Sequence, residues 1–314
     1  MTKYLRFLFF CALILTALFA VSSCEKSHIP AKAVIENEQA ATCKNGSYDS
    51  VVYCKICSRE LSREKKIIPA VVPHNIENGV CMSCGDRESS EGLELKLNSN
   101  GASYTVMGIG SCTDTDVVIG VYNGLPITII ADSAFDGCTN ITSVTISEGV
   151  SFLPHNAFRG CTSLASVSIP DSLTRINLSA FLYCTSISNI TVSENNQTYK
   201  SIDGNLYTKD GKCLIKYAIG KTNTKFTIPN EVTSIGDEAF AYCANLVSVT
   251  IPESVEGIGG WAFYNCMSLK SINYRGTKEQ WNRVYKDASW DFWYKDYGFY
   301  EKIKYTVMYN YIGE

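Results

Sequence analysis

The 314 residues carry a formal net charge of −3 and no block of basic residues, which excludes a nucleic-acid groove built on clustered Lys and Arg. Apolar residues make up 46% of the chain, so global disorder is excluded too. The three histidines, His28, His74 and His155, lie beside no nucleophile or carboxylate pair in the sequence, and no enzyme activity is expected.

Lys3 and Arg6 precede an apolar run from Leu8 to Val21, broken in polarity only by Thr16. That length suits an export signal and falls short of a comfortable membrane span. The run closes in Val21-Ser22-Ser23-Cys24, which resembles the bacterial lipobox. The resemblance implies that Cys24 is lipidated and becomes the first mature residue. Acyl chains contribute roughly 0.8 kcal/mol per buried methylene, so more than one chain gives a lasting hold. An ordinary secretory signal with a chance cysteine is the alternative. Residues 1–23 thus read as a signal and 24–41 as a polar tether, with a lipid anchor as the sole membrane attachment.

Cys54-Lys55-Ile56-Cys57 is followed by Cys81-Met82-Ser83-Cys84. Two C-x-x-C knuckles at this separation suit a tetrahedral structural zinc, with Cys54, Cys57, Cys81 and Cys84 as ligands and no open position for catalysis. Val51 to Tyr53 and Ile67-Ile68 are expected as short strands of this zinc-ribbon-like module, residues 42–88. A segment so small needs a metal or a covalent staple. Two disulfides are the rival, because export often leads to an oxidising compartment; Cys43 makes five cysteines here, and an odd number fits four zinc ligands plus a spare better.

Leu93, Leu95 and Leu97 alternate with polar residues, and Asn100-Gly101 marks a hairpin turn before Tyr104-Thr105-Val106. This hairpin is expected to cover the open end of a repeat region that begins after it. There the phrase Ala134-Phe135-Asp136-Gly137-Cys138 recurs from Ala157, Ala180, Ala239 and Ala262, at steps of 23, 23, 59 and 23 residues. A fixed period of this size marks a solenoid of stacked coils, here over residues 92–275. Phe135, Phe158, Phe181, Phe240 and Phe263 should form one interior column. Cys138, Cys161, Cys184, Cys243 and Cys266 form another, in which cysteine serves as a small buried hydrophobe in preference to a redox ladder.

Ile169-Pro170, Ile228-Pro229 and Ile251-Pro252, with the Ala-Phe, Cys, Leu, Val and Ile places in phase, resemble the BspA-type leucine-rich repeat. That resemblance implies a curved leucine-rich-repeat solenoid of short β-strands joined by irregular or short helical arcs, on the surface of host-associated microbes and associated with adhesion. The cysteine module also resembles a unit found beside such repeats. The third copy departs from the pattern: Val192-Ser193 replaces Ile-Pro, and the next strand comes 36 residues later instead of 23. Asn205 to Thr208 and Cys213 to Lys216, joined across Asp210-Gly211, read as an inserted hairpin.

Outward positions of the repeated strand are Thr145, Ser168, Thr191, Thr227, Thr250 and Asn273. A column of hydroxyls with almost no charge could bind a peptide backbone or sugar hydroxyls, or it could simply be a solvated strand surface. Residues 276–314 read as an α+β cap dense in aromatics, opening on a short helix capped by Thr277 and Gln280. Trp290 and Trp293 could instead offer a platform to a sugar or protein. The expected function is non-catalytic recognition of an extracellular protein or glycan at the cell surface; a structural element of the envelope is the alternative.

Overall fold

The computed structural model describes residues 87–294 and 300–312, together with the backbone of strands lying between residues 34 and 81. The chain divides into two compact units, residues 1–72 and 73–314. In the first, Val34–Gln39, Gly46–Tyr53 and Glu60–Ile68 form an antiparallel sheet with Gly46–Tyr53 in the middle. The expected strands at Val51 to Tyr53 and Ile67-Ile68 are the ends of these longer ones. Val34–Gln39, read from sequence as part of a tether, is instead the edge strand, and the register sets Val34 opposite Val51.

Cys24, Cys43, Cys54, Cys57 and Cys84 lie outside the described residues. Cys81 ends the strand Val80–Cys81, which pairs with Ile76–Glu77, and its side chain is not described. The proposed zinc ligands and the lipidation site therefore fall outside the described structure.

The second unit is a β-solenoid. Each coil gives one strand to a parallel sheet that runs Asp116–Ile119, Ser143–Ile146, Ser166–Ile169 and Asn189–Val192. Val117, Val144, Val167 and Ile190 share one register, and all four are buried. After a break, the pattern resumes in a second parallel sheet, Lys225–Thr227, Ser248–Ile251, Ser271–Tyr274 and Thr306–Met308. A second set of two-residue strands, such as Phe152–Leu153 on Arg175–Ile176 and Ser234–Ile235 on Gly257–Ile258, stacks in the other part of each coil.

Turns, not helices, make most of the arcs. The residue before the alanine of the repeat is left-handed at Ser133, Asn156, Glu238 and Trp261, and the residue before the cysteine is left-handed at Gly137, Gly160, Tyr183, Tyr242 and Asn265. Two such bends reverse the chain within a few residues. Only the third copy differs, with a 3-10 turn at Leu178–Phe181 capped by Asn177.

The alanine beside the phenylalanine ties neighbouring coils together. Its carbonyl accepts the phenylalanine N–H of the preceding coil, as Ala157 does from Phe135 and Ala180 from Phe158, both at 2.8 Å. The cysteines are free and add a second tie: Cys161 Sγ donates to Phe135 O at 3.1 Å, Cys184 to Phe158 O at 2.9 Å and Cys266 to Phe240 O at 3.0 Å. Each coil is thus bonded to the one before it through the same interior residues.

The single phenylalanine column is in fact two. Phe135, Phe158 and Phe181 stack at 5.0 and 5.7 Å, and Phe240 stacks on Phe263 at 4.8 Å. Each ring removed from water contributes roughly 1.5–3 kcal/mol. Tyr217 takes the missing place between the stacks: its N–H donates to Ala239 O at 2.8 Å, and its ring meets Phe240 at 5.3 Å with a tilt of 31°. The core divides at the same point into two apolar clusters.

The cause is the enlarged coil. Its insert is a meander of three strands, Tyr199–Ile202, Asn205–Thr208 and Cys213–Lys216, and the last of these joins the ladder of short strands through Leu214 and Ile235. The first turn, Asp203-Gly204, sits against the strand Asn189–Val192. Ile190 N–H donates to Gly204 O at 2.9 Å, and Ser201 Oγ donates to Ile190 O at 2.6 Å. Gly204 has φ of 71°, and a Cβ there would stand 2.8 Å from Asn189 Oδ1.

At the start of the solenoid, the hairpin Glu94–Leu97 and Tyr104–Gly108 pairs in parallel with Leu125–Ile130 and buries Val106. The first sheet is closed by other residues: Ser90 N–H donates to Val118 O at 3.1 Å and Val121 N–H to Arg87 O at 3.0 Å. At the far end, Lys278–Arg283 is a helix with a capping box between Thr277 and Gln280. No helix among the described residues is long and apolar enough to cross a membrane.

Candidate recognition surface

The register of the first sheet aligns Val118, Thr145, Ser168 and Thr191, and beside them Asp116, Ser143, Ser166 and Asn189. Thr145 and Ser168 are half-buried and Thr191 is exposed. Asp116 is held below the ordinary carboxylate value by hydrogen bonds from Ser143, first, and Thr142; the Ser143 hydroxyl lies at 2.7 Å.

In the second sheet the columns continue as Thr227, Thr250, Asn273 and Met308, and as Lys225, Ser248, Ser271 and Thr306. Lys225 and Thr227 are exposed. Thr250, expected on the open face, is only 6% exposed, and Ser248 and Asn273 beside it are buried too. Asn273 Nδ2 donates to Ser248 Oγ at 2.9 Å, so these two polar groups are turned to each other. The accessible hydroxyl and amide groups thus lie on the first sheet, on the strand Lys225–Thr227 and at the far edge of the second sheet, where Thr306 is exposed.

Trp290 is 6% exposed and packs edge-on against Phe263 at 5.8 Å. Its carbonyl accepts the Phe263 N–H at 2.8 Å, the task alanine performs in the other coils. It belongs to the core and presents no open ring face. Trp293 lies in the strand Phe292–Tyr294, and its side chain is outside the described set.

A different aromatic surface is present that the repeat pattern did not suggest. On the arcs, Tyr183 meets Tyr242 at 4.8 Å, Tyr242 meets Tyr264 at 5.3 Å, Tyr264 meets Trp261 at 4.9 Å, and Trp261 meets Phe292 at 6.3 Å. Tyr183 is 39% exposed and the other four are half-buried. Arg159 lies over Tyr183 at one end and Lys302 over Phe292 at the other. Tyr183, Tyr242 and Trp261 all have positive φ, at 63°, 68° and 56°. Aromatic side chains are unfavourable there, by about 1–3 kcal/mol each, where glycine or asparagine costs little. The signal available in the sequence was the tyrosine standing immediately before the cysteine in Ala180 to Cys184 and Ala239 to Cys243, where two earlier copies have glycine.

Among the described residues, no group of three or more His, Cys, Asp or Glu side chains is placed to hold a metal ion. Burial, first, with Cys161 and Asp136 nearby, pushes the Cys138 thiol up to about 11. Burial, then the neighbouring Cys266, raises Cys243. Thiols held protonated in this way are poor nucleophiles and poor metal ligands.

Residues 123–208 and 216–285 match the family model of the BspA type leucine rich repeat region, in six copies. Among solved structures, the chain is similar to the pneumococcal vaccine antigen PcpA, at 23% identity and a TM-score of 0.42 over 48% of this chain and 43% of that one. It is also similar to a leucine rich cell surface protein from Faecalibacterium prausnitzii, at 26% identity and a TM-score of 0.38 over 52% and 67% of the two chains. A leucine-rich repeat protein from Bacteroides ovatus matches at 25% identity and a TM-score of 0.37, over 58% and 46%. The chain thus spans less than half the length of the pneumococcal antigen it resembles. No curated protein matches.

Proposed function

The repeat region of this chain belongs to the BspA-type leucine-rich repeat family, and from that premise we propose that the protein is a non-catalytic recognition module on a bacterial cell surface. Its ligand on this reading is an extracellular protein or glycan. The observation that carries the reading is the in-register column Thr145, Ser168 and Thr191, continued by Thr227 beyond the break. Neutral hydroxyls repeat there once per coil, roughly 4.8 Å apart, along an extended surface of the kind stacked repeats use for binding.

The test is binding of the mature chain to immobilised matrix proteins and to a glycan array. Saturable binding, weakened when Ser168, Thr191 and Thr227 are replaced together by lysine without loss of folding, supports recognition. Capture of the producing cell's own envelope components alone would favour a structural role and overturn this reading.

Lipid anchoring at Cys24 and zinc at Cys54, Cys57, Cys81 and Cys84 belong to the same proposal and rest on sequence spacing. Loss of radiolabelled palmitate from a Cys24→Ala variant checks the first. Metal analysis of the purified chain checks the second, where oxidised thiols without zinc would reject it.

A further inference from the structure

The enlarged coil carries a charge unlike the rest of the chain. Residues 199–225 hold six lysines and two aspartates, a surplus of four positive charges in a chain of net charge −3, so the remainder carries −7. An asymmetry of this kind marks a surface for a partner of opposite sign. The segment is also the one departure from the 23-residue step. Insertions in a solenoid map to one face, often the binding face.

The lysines gather at the two ends of the meander. Lys200, Lys209 and Lys212 stand around the turn Asp210-Gly211. Lys200 Nζ lies over that turn, where a Cβ on Gly211 would come within 2.6 Å of it, and Lys209 Nζ donates to Glu194 O at 2.8 Å. At the opposite turn Lys221 Nζ donates to Asp203 O, and Lys225 is exposed at the start of its strand. Carbonyl oxygens fix an ammonium group without cancelling its charge, and each ammonium keeps donors to spare. Lys216 is turned into the coil, where it donates to Glu238 O at 2.9 Å, and takes no part. The acids do not balance the other five. Asp210 Oδ1 accepts from the Thr208 hydroxyl at 2.6 Å and the Lys212 N–H at 2.9 Å, and only Asp203 and the exposed Glu194 lie beside the rest. The ion pairs among the described residues, Arg159 with Asp136 and Lys302 with Asp291, lie elsewhere.

Two features select the kind of anion. The strand Asn205–Thr208 separates the two turns by roughly 14 Å of extended chain, so a polymer with repeated charges engages both groups where a lone anion engages one. None of the large apolar side chains exposed among the described residues lies between residues 184 and 266. An acidic protein needs an apolar or aromatic anchor, and a single-stranded nucleic acid needs a ring to stack on. A hydrated acidic sugar chain asks for cations and hydroxyls, and Thr222, Asn223 and Thr224 are exposed between Lys221 and Lys225. We propose that Lys200, Lys209, Lys212, Lys221 and Lys225 form a binding site for an acidic polysaccharide. The inference rests on the recognition reading and deepens it by naming a surface and a ligand class.

The test uses the full mature chain, with polygalacturonate and dextran sulfate as probes, uncharged dextran as control and poly-glutamate as the competing acidic polypeptide, read by calorimetry over a salt series. At least one acidic polysaccharide should bind saturably and dextran should not, and affinity should fall as salt rises. Lys200→Gln, Lys209→Gln and Lys212→Gln together should weaken binding by about tenfold or more, and arginine at the same three places should restore it. Lys221→Gln with Lys225→Gln tests the opposite turn independently and should weaken binding as well; thermal melting checks that each variant is folded. Lys270→Gln, Lys278→Gln and Lys304→Gln remove the same charge from exposed places elsewhere and should leave affinity within about twofold. No binding of either polysaccharide, equal loss in the two triple glutamine variants, or poly-glutamate binding as tightly through the same lysines would overturn the proposal. If matrix-protein or neutral-glycan binding survives the meander variants and fails in the sheet variant while the acidic polymers do not bind, the recognition reading stands without this site. If an acidic polysaccharide binds through the lysines and nothing binds the sheet face, the site stands and the sheet reading fails.

Discussion

The thiol of Cys184 donates to the carbonyl of Phe158 across 2.9 Å, from one coil to the coil before it. Cys161 repeats the contact with Phe135 and Cys266 with Phe240. Cys138, in the first copy of the phrase, is only half-buried and has no such contact among the described residues.

Cys184→Ala should therefore lower stability by about 1–2 kcal/mol, from a lost hydrogen bond and a small void, whereas Cys138→Ala should cost much less. Urea unfolding of the two variants measures the difference. Equal losses would show that volume alone accounts for the column.

Tyr217 fills the phenylalanine place between the two stacks, but its buried hydroxyl has no hydrogen-bond partner among the described residues. Tyr217→Phe should raise stability by roughly 1 kcal/mol, because it removes an unsatisfied polar atom and leaves the ring. A fall in the midpoint of denaturation would mean that the hydroxyl finds a partner in solution.

Gly220 stands at the cysteine place of the enlarged coil. Its N–H donates to Ile187 O at 2.6 Å, and a Cβ would come within 2.2 Å of the Ser186 carbonyl. Backbone cannot yield as a flexible side chain does, so Gly220→Ala should cost roughly 3 kcal/mol. Melting of the variant within a degree of the wild type would refute the close approach.

Alkaline pH should weaken the fold. Burial raises Cys138 from an ordinary 9.0 to about 11, so the folded chain keeps a proton that the unfolded chain loses. Its contribution is intact below pH 9 and is lost as pH rises through 9 to 11. Lys216 acts in the opposite sense. Burial lowers it from 10.5, so its burden on the folded state lifts as pH approaches that value. Over this range, Cys138→Ala should flatten the decline of stability with pH and Lys216→Ala should steepen it. Denaturation midpoints at a series of pH values decide.

The period of the alanine–phenylalanine–cysteine phrase was enough to read the parallel stacking, because each copy buries the same residues. The capping helix was equally legible, since Thr277 and Gln280 satisfy each other's backbone locally. The division at Tyr217 was not. Lys216-Tyr217-Ala218 does not look like Ala-Phe, and the place it fills is set by a hydrogen bond to Ala239 twenty-two residues on. The burial of Thr250 was also hidden, because strand alternation assigns a side without saying what shields it. The aromatic strip escaped because Tyr183 and Tyr242 are 59 residues apart and meet only when the enlarged coil is folded between them.

The meander between Val192 and Lys225 gives this rod a seam. Among the described residues the two parallel sheets do not pair with each other, the insert being bonded to both sides, and the interior rings change partners there. A chain pulled from both ends should yield in two events, one block at a time. The block that remained would keep its fold while the other lengthened, which makes the seam a fuse as much as a joint.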